Sequence, residues 1–257
     1  MKGIKEVKIA LVLSLSFFLT GCDILKEVLE SGGLPMLTSE EIGKGLKEAL
    51  KVGTNKSVSA LSKTDGFYGN KLLQIALPKE ANTIVKNVSK IPLLGDKVVE
   101  ETKKMINRSA EDAASQAGPI FKNAITSMSI SDAVGILKGR DTAATNYLRR
   151  KTFSKLQNAF TPKIKGSLGK KIIGNNSAES AYSSLIGNYN KAAKLPFSGL
   201  EQIKTNSLSK YVTRRALNGL FHKVKAEEKN IRDNPGARVN DLLKKVFSEE
   251  NRNRIIR

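Results

Sequence analysis

The chain has 257 residues, 40 % of them apolar and 26 % charged, a composition too hydrophobic for disorder and long enough for one large domain or two small ones around a substantial core. Its formal charge of +20 draws it toward anionic partners: nucleic acid, lipid headgroups or acidic glycans. One cysteine and one histidine exclude an internal disulfide, Cys-rich or multi-His metal sites, and any Ser-His-Asp triad not built on His222.

Lys2, Lys5 and Lys8 open the chain, and the apolar run from Ile9 to Leu19 is too short to span a bilayer as a stable helix. Leu19-Thr20-Gly21-Cys22 follows and resembles the lipobox of bacterial lipoproteins, which implies cleavage before Cys22 and acylation of that cysteine, palmitate included. The expected organisation is a signal peptide over 1–21, a lipidated cysteine and flexible tether over 22–36, one helical domain over 37–250, and a charged tail over 251–257. The alternative is a plain secretory signal with an incidental cysteine.

Helical periodicity dominates from Leu37 onward and predicts an all-α bundle of roughly eight to ten helices with no significant sheet. Thr38 and Glu41 fit a capping box for a first helix that ends before Asp65-Gly66. A second helix starts at Pro78 and carries Ile84, Val85 and Val88, and Ile91 to Gly95 interrupts it. A third runs from Asp96 to Ala117, where Gly118-Pro119 ends it and begins the next. Ser131 caps a short helix closed by Gly139, and Asp141 caps another through Ala144, Tyr147, Leu156 and Phe160 that restarts at Thr161-Pro162. Gly174 to Asn176 reads as a turn, Ala181 to Tyr189 as a helix ending before Leu195-Pro196, and Ser207 to Arg232 as a strong helix stopped by Asn234-Pro235-Gly236. Asp241 to Phe247 forms a last amphipathic turn or two.

Three C-terminal stretches, YVTRRALNGLF at Tyr211 to Phe221, EEKNIRDNPGAR at Glu227 to Arg238 and DLLKKVF at Asp241 to Phe247, resemble the bacterial family catalogued as domain of unknown function 4197. TDGFYGN at Thr64 to Asn70, DAVGILKG at Asp132 to Gly139 and DTAATNYLRRKT at Asp141 to Thr152 extend that resemblance over most of the chain. It implies a secreted or lipidated helical protein of about this length, and it brings no activity or catalytic residue with it.

Two candidate binding sites stand out. In the TDGFYGN turn, Asp65, Tyr68 and Asn70 offer polar groups on a constrained loop, unless Phe67 and Tyr68 only lock the first helix to the core. Around Pro235, Arg232, Arg238 and Asp241 bracket a helix end and a helix start, where they either bind an anion or staple the corner. Lysines and arginines between Arg149 and Lys171 form either a face for anionic lipid or glycan or a solvated helix surface. His222 reads as incidental.

No nucleotide loop, metal set or cofactor motif is present, and export disfavours nucleic acid. The reading is a non-enzymatic binding or scaffolding module in the cell envelope, facing the periplasm, held at an inner or outer membrane through Cys22, with an envelope protein or anionic lipid or glycan as partner. The alternatives are a carrier for a hydrophobic ligand between helices rich in small residues such as Ala110, Ala113 and Ala114, and a glycan hydrolase using two carboxylates, one of them Glu227, Glu228 or Asp241.

Overall fold

A computed structural model describes residues 37–82, 86, 95–173, 176–204 and 207–248. The expectations for Cys22 and its tether, for Ile84, Val85 and Val88, for the Ile91 to Leu94 interruption and for the tail lie outside the described residues.

Among the described residues the fold is all-α. Its helices are α1 (Ser39–Ser62), α2 (Gly95–Ala114), α3 (Ala117–Thr126), α4 (Ile130–Lys138), α5 (Ala143–Leu168), α6 (Ala178–Ala193), α7 (Leu208–Asp233) and α8 (Asp241–Val246). Single 3-10 turns lie at Lys79–Ala81 and Pro235–Ala237. The sequence showed no strand pair, yet β1 (Lys171–Ile173) and β2 (Asn176–Ser177) pair antiparallel. Five residues leave too little pattern for period-two alternation to register.

Long α7 packs along α5 and α1, and α5 packs along α2. Spacing explains the choice of faces: Leu46, Ala49, Leu50 and Leu61 turn α1 inward, while Leu208, Val212, Ala216, Leu220 and Val224 do so for α7. The fully buried Ala110, Ala113, Ala114 and Ala117 bring the α2–α3 bend close to its neighbours. Aromatics contribute more than their scarcity suggests, since Phe67, Phe121, Phe160 and Phe221 are among the largest fully buried side chains. Phe121 meets Phe221 edge-on with ring centroids 5.9 Å apart.

Several boundaries move for identifiable reasons. The break between α2 and α3 falls at Ser115–Gln116, ahead of Gly118-Pro119, because Pro119 is tolerated in a first helical turn whose N–H groups have no intrahelical partner. The cap of α4 is Ser129, not Ser131: its hydroxyl accepts from the Asp132 N–H, and the Asp132 carboxylate accepts the Ser129 N–H in return. Helix α5 does not restart at Pro162. It runs through the proline, burying Leu148, Thr152, Leu156, Phe160, Ile164 and Leu168 at every fourth position on both sides of it, while Pro162 itself faces solvent. Tertiary packing thus outweighs the one hydrogen bond that proline removes.

Candidate functional site

The N-terminus of α5 shows how the corner around Pro235 is built. Asp141 was expected to cap this helix, but the residue preceding Ala143 is Thr142, whose side chain makes no capping bond. The cap comes instead from Glu228, in the last third of α7. Its Oε1 accepts the Ala144 N–H at 3.0 Å, and its Oε2 accepts the Thr145 N–H at 2.8 Å and the Thr145 hydroxyl at 2.7 Å. A buried carboxylate therefore occupies the anion position of this helix N-terminus.

Arg232, one turn along α7, donates through Nε and Nη2 to Glu228 Oε1 at 3.2 and 3.1 Å, and its Nη2 also reaches the Ile136 carbonyl at 3.0 Å, in the last turn of α4. Arg238 folds back to donate to the Ile231 and Arg232 carbonyls at 3.2 and 3.0 Å, satisfying the C-terminal end of α7. Both guanidiniums are buried against main-chain oxygens, which is the stapling arrangement. Asp241 does not join them: it is exposed in the first turn of α8, where Lys244 pairs with it at 3.0 Å and Asn240 provides the cap.

The TDGFYGN turn is held by a similar set of parts. Glu111 of α2 is buried, and its Oε1 accepts the N–H groups of Phe67 and Tyr68, both at 3.0 Å. Arg108 bridges outward, with Nη1 2.6 Å from Glu111 Oε2 and Nη2 2.7 Å from Asp65 Oδ1. Its guanidinium lies 5.6 Å from the centre of the Tyr68 ring. Phe67 is fully buried against α7, so close to Gly219 that a Cβ there would lie 2.7 Å from the ring. Asn70 accepts the N–H groups of Leu72 and Leu73 through its side-chain oxygen. Asn107 then clamps the outgoing segment by donating to the Ile75 carbonyl and accepting the Ile75 N–H. The Tyr68 hydroxyl donates to Glu100, and this hydrogen bond raises the phenol above its ordinary value and holds the Glu100 carboxyl below its own.

Asp65 and Asn70 line an open cleft of about 410 Å³ together with Lys63, Lys71 and Lys223, whereas Tyr68 points away toward Glu100. Glu111, Arg108 and Asn107 were not anticipated. Their signal was the placement of Asn107 and Glu111, four apart, within the stripe of Ile106, Ala110 and Ala114. A second open cleft, of about 370 Å³, lies between α4 and α5 and presents Asp132, Asn146, Tyr147 and Arg150. Hydrogen bonds from the Ser129 hydroxyl and N–H hold the Asp132 carboxyl below the usual carboxylate range.

The apolar cavity bordered by Leu46, Leu50, Val224 and Ile231 measures about 20 Å³, room for roughly one water and far below the ~300–1,000 Å³ of ligand pockets. The acids named for hydrolysis are engaged separately: Glu227 with Lys223, Glu228 with the α5 N-terminus, and Asp241 with Lys244. His222 is exposed on α7. Among the described residues no cluster of three potential metal ligands occurs, and no helix is long and apolar enough to cross a membrane.

These features define a helical-bundle protein whose buried charges are built into its own main-chain framework and whose open clefts are polar and shallow. Over residues 36–248 the chain matches the family described as protein of unknown function DUF4197, and it belongs to that family. No curated protein and no solved structure matches it.

Proposed function

We propose that this protein is a non-catalytic helical binding module, held at a membrane of the bacterial envelope by a lipid on Cys22. The observation that carries this reading is the commitment of the two buried glutamates. Among the described residues Glu111 and Glu228 are the buried acids, and each accepts two backbone N–H groups and an arginine. What remains available to a partner is surface, and the surface is cationic. From Thr142 to Ala226 the chain holds sixteen lysines and arginines against two acids, Glu179 and Glu201. Glu179 is itself engaged at the start of α7, where it accepts the Ser209 N–H at 2.7 Å.

The lipobox at Cys22 supports the membrane attachment, and the small apolar cavity disfavours carriage of an acyl chain within the bundle. The test is metabolic labelling with palmitate combined with cross-linking in living cells, comparing the wild-type chain with Cys22→Ser. Label on the wild type alone, with a discrete partner lost in the variant, is the expected result. Equal partition of both forms into the soluble fraction would overturn the anchored reading.

A further inference from the structure

The segment between α6 and α7 contradicts the usual polarity of helix connections. Leu195, Phe197 and Leu200 are all exposed, and they make up three of the six large apolar side chains that stand in solvent among the described residues. Phe197 is 104 % exposed, with nothing packed on its ring. The segment is nevertheless tied down. The Ser198 N–H donates to the Leu195 carbonyl at 3.2 Å, and the Ser198 hydroxyl to the Ala193 carbonyl at 3.1 Å. On the return side Asn190 holds Ile203 by two hydrogen bonds of 2.9 and 2.8 Å.

Backbone geometry adds to the anomaly. Phe197 has φ +63°, in the left-handed region that bulky residues avoid. A phenylalanine held in a strained conformation with its ring in water is unfavourable twice over, unless something buries that ring. The exposed Lys191, Lys194 and Lys204 flank the tip along the chain, with Glu201 the one acid between them, inside the acid-poor stretch from Thr142 to Ala226.

Charge and apolarity together select the occupant. A polyanionic glycan or nucleic acid would pair with the lysines and leave the apolar tips in water. A stable protein interface needs on the order of 1,000 Å² of matched surface, more than three side chains on one loop supply. A bilayer interface offers an apolar layer for Leu195, Phe197 and Leu200 and anionic headgroups at the level of the lysines. We infer that residues 194–204 form a membrane-inserting tip that docks the folded domain on an anionic phospholipid bilayer. This deepens the membrane-held reading on which it rests, because an acyl chain and a cationic apolar patch together hold far more firmly than either alone.

The chain contains no tryptophan, so Phe197→Trp introduces a single fluorescent reporter at the tip without touching the core. The full chain carrying Phe197→Trp and Cys22→Ser is mixed with vesicles of equal phosphatidylglycerol and phosphatidylcholine, or of phosphatidylcholine alone, with and without brominated acyl chains. Ile130→Trp in the same Cys22→Ser chain, at an exposed apolar position on α4, serves as the comparison. The expected result is a blue shift and bromine quenching of the tip indole on phosphatidylglycerol vesicles, with Ile130→Trp unchanged. Lys194→Gln and Lys204→Gln should each weaken vesicle affinity about fivefold.

Unchanged emission on phosphatidylglycerol, equal response on phosphatidylcholine alone, or equal quenching at position 130 would overturn the inference. So would a blue shift that grows with protein concentration in the absence of vesicles, since a second copy would then cover the loop. Because Cys22 is absent from every sample, failure here leaves the acylation test untouched, and the reverse also holds.

Discussion

The corner around Pro235 and the TDGFYGN turn are built from the same parts, a buried glutamate that accepts two backbone N–H groups and an arginine that extends the charge outward. They differ in where the arginine goes. Arg232 ends on carbonyls inside the molecule, its side chain 9 % exposed, while Arg108 ends on the half-exposed Asp65 with its side chain 32 % exposed. Enclosure makes the first brace strong but all-or-none, because a charge stripped of its partner there has no water to turn to. The second is softer, screened by salt and open to change at one end. The turn places its own Asp65 and Asn70 in the lining of an open cleft of about 410 Å³.

The comparison can be broken most severely at Glu228. Glu228→Ala strands Arg232 and the α5 N-terminus together, and the expected loss is about 3–5 kcal/mol of unfolding free energy in urea titrations. Glu111→Ala should cost about 2–3 kcal/mol, less than its counterpart because solvent reaches Arg108 once the carboxylate is gone. A result in which Glu111→Ala is the more damaging would reverse the ranking of the two braces. Gly219→Ala probes the turn from the α7 side: the added methyl collides with Phe67, and a loss of about 1–3 kcal/mol should appear in thermal melts. Asp65→Asn should change stability by less than about 1 kcal/mol, and that small effect should vanish in high salt.

Acid provides a finer separation. Glu100 has a depressed folded-state pKa because Tyr68 donates to it, so its contribution is fully present above the ordinary glutamate value of 4.5 and is lost as the pH falls through the lower folded value. Tyr68→Phe should therefore flatten the acid limb of the stability profile below about pH 4.5.

Much of the bundle was legible because helices announce themselves locally. The spacing from Leu208 to Val224 placed α7 within a residue, and α1 ends at Ser62, before Asp65-Gly66 as the sequence has it. Two of the misreadings, at Asp141 and Pro162, share one cause, dependence on distant residues. Asp141 was the local candidate to cap α5, but the carboxylate that does so lies 84 positions from Ala144, a pairing that no local pattern encodes. Pro162 looked like a restart because the neighbours that hold α5 straight across it come from other helices. Of the candidate residues, Asp65 and Asn70 reached a common cleft, Arg232 and Arg238 a common staple, and Tyr68 and Asp241 neither. The exposed tip at Phe197 went unnoticed because an apolar residue in a sequence reads as core until its surroundings are known.

Helix α5 buries every fourth residue, and an α-helix has 3.6 residues per turn, so each step carries the inward direction about 40° further round the axis. Between Leu148 and Leu168 that drift amounts to roughly 200°. The helix thus works like a camshaft, turning its apolar lobes toward different neighbours, since α2, α3, α4, α6 and α7 all lie against it. Its solvent side must spiral with the same pitch. Arg150, Lys155 and Lys165 therefore point along different bearings, and the positive field of this helix surrounds the molecule's flank as a winding band instead of gathering on a flat plate.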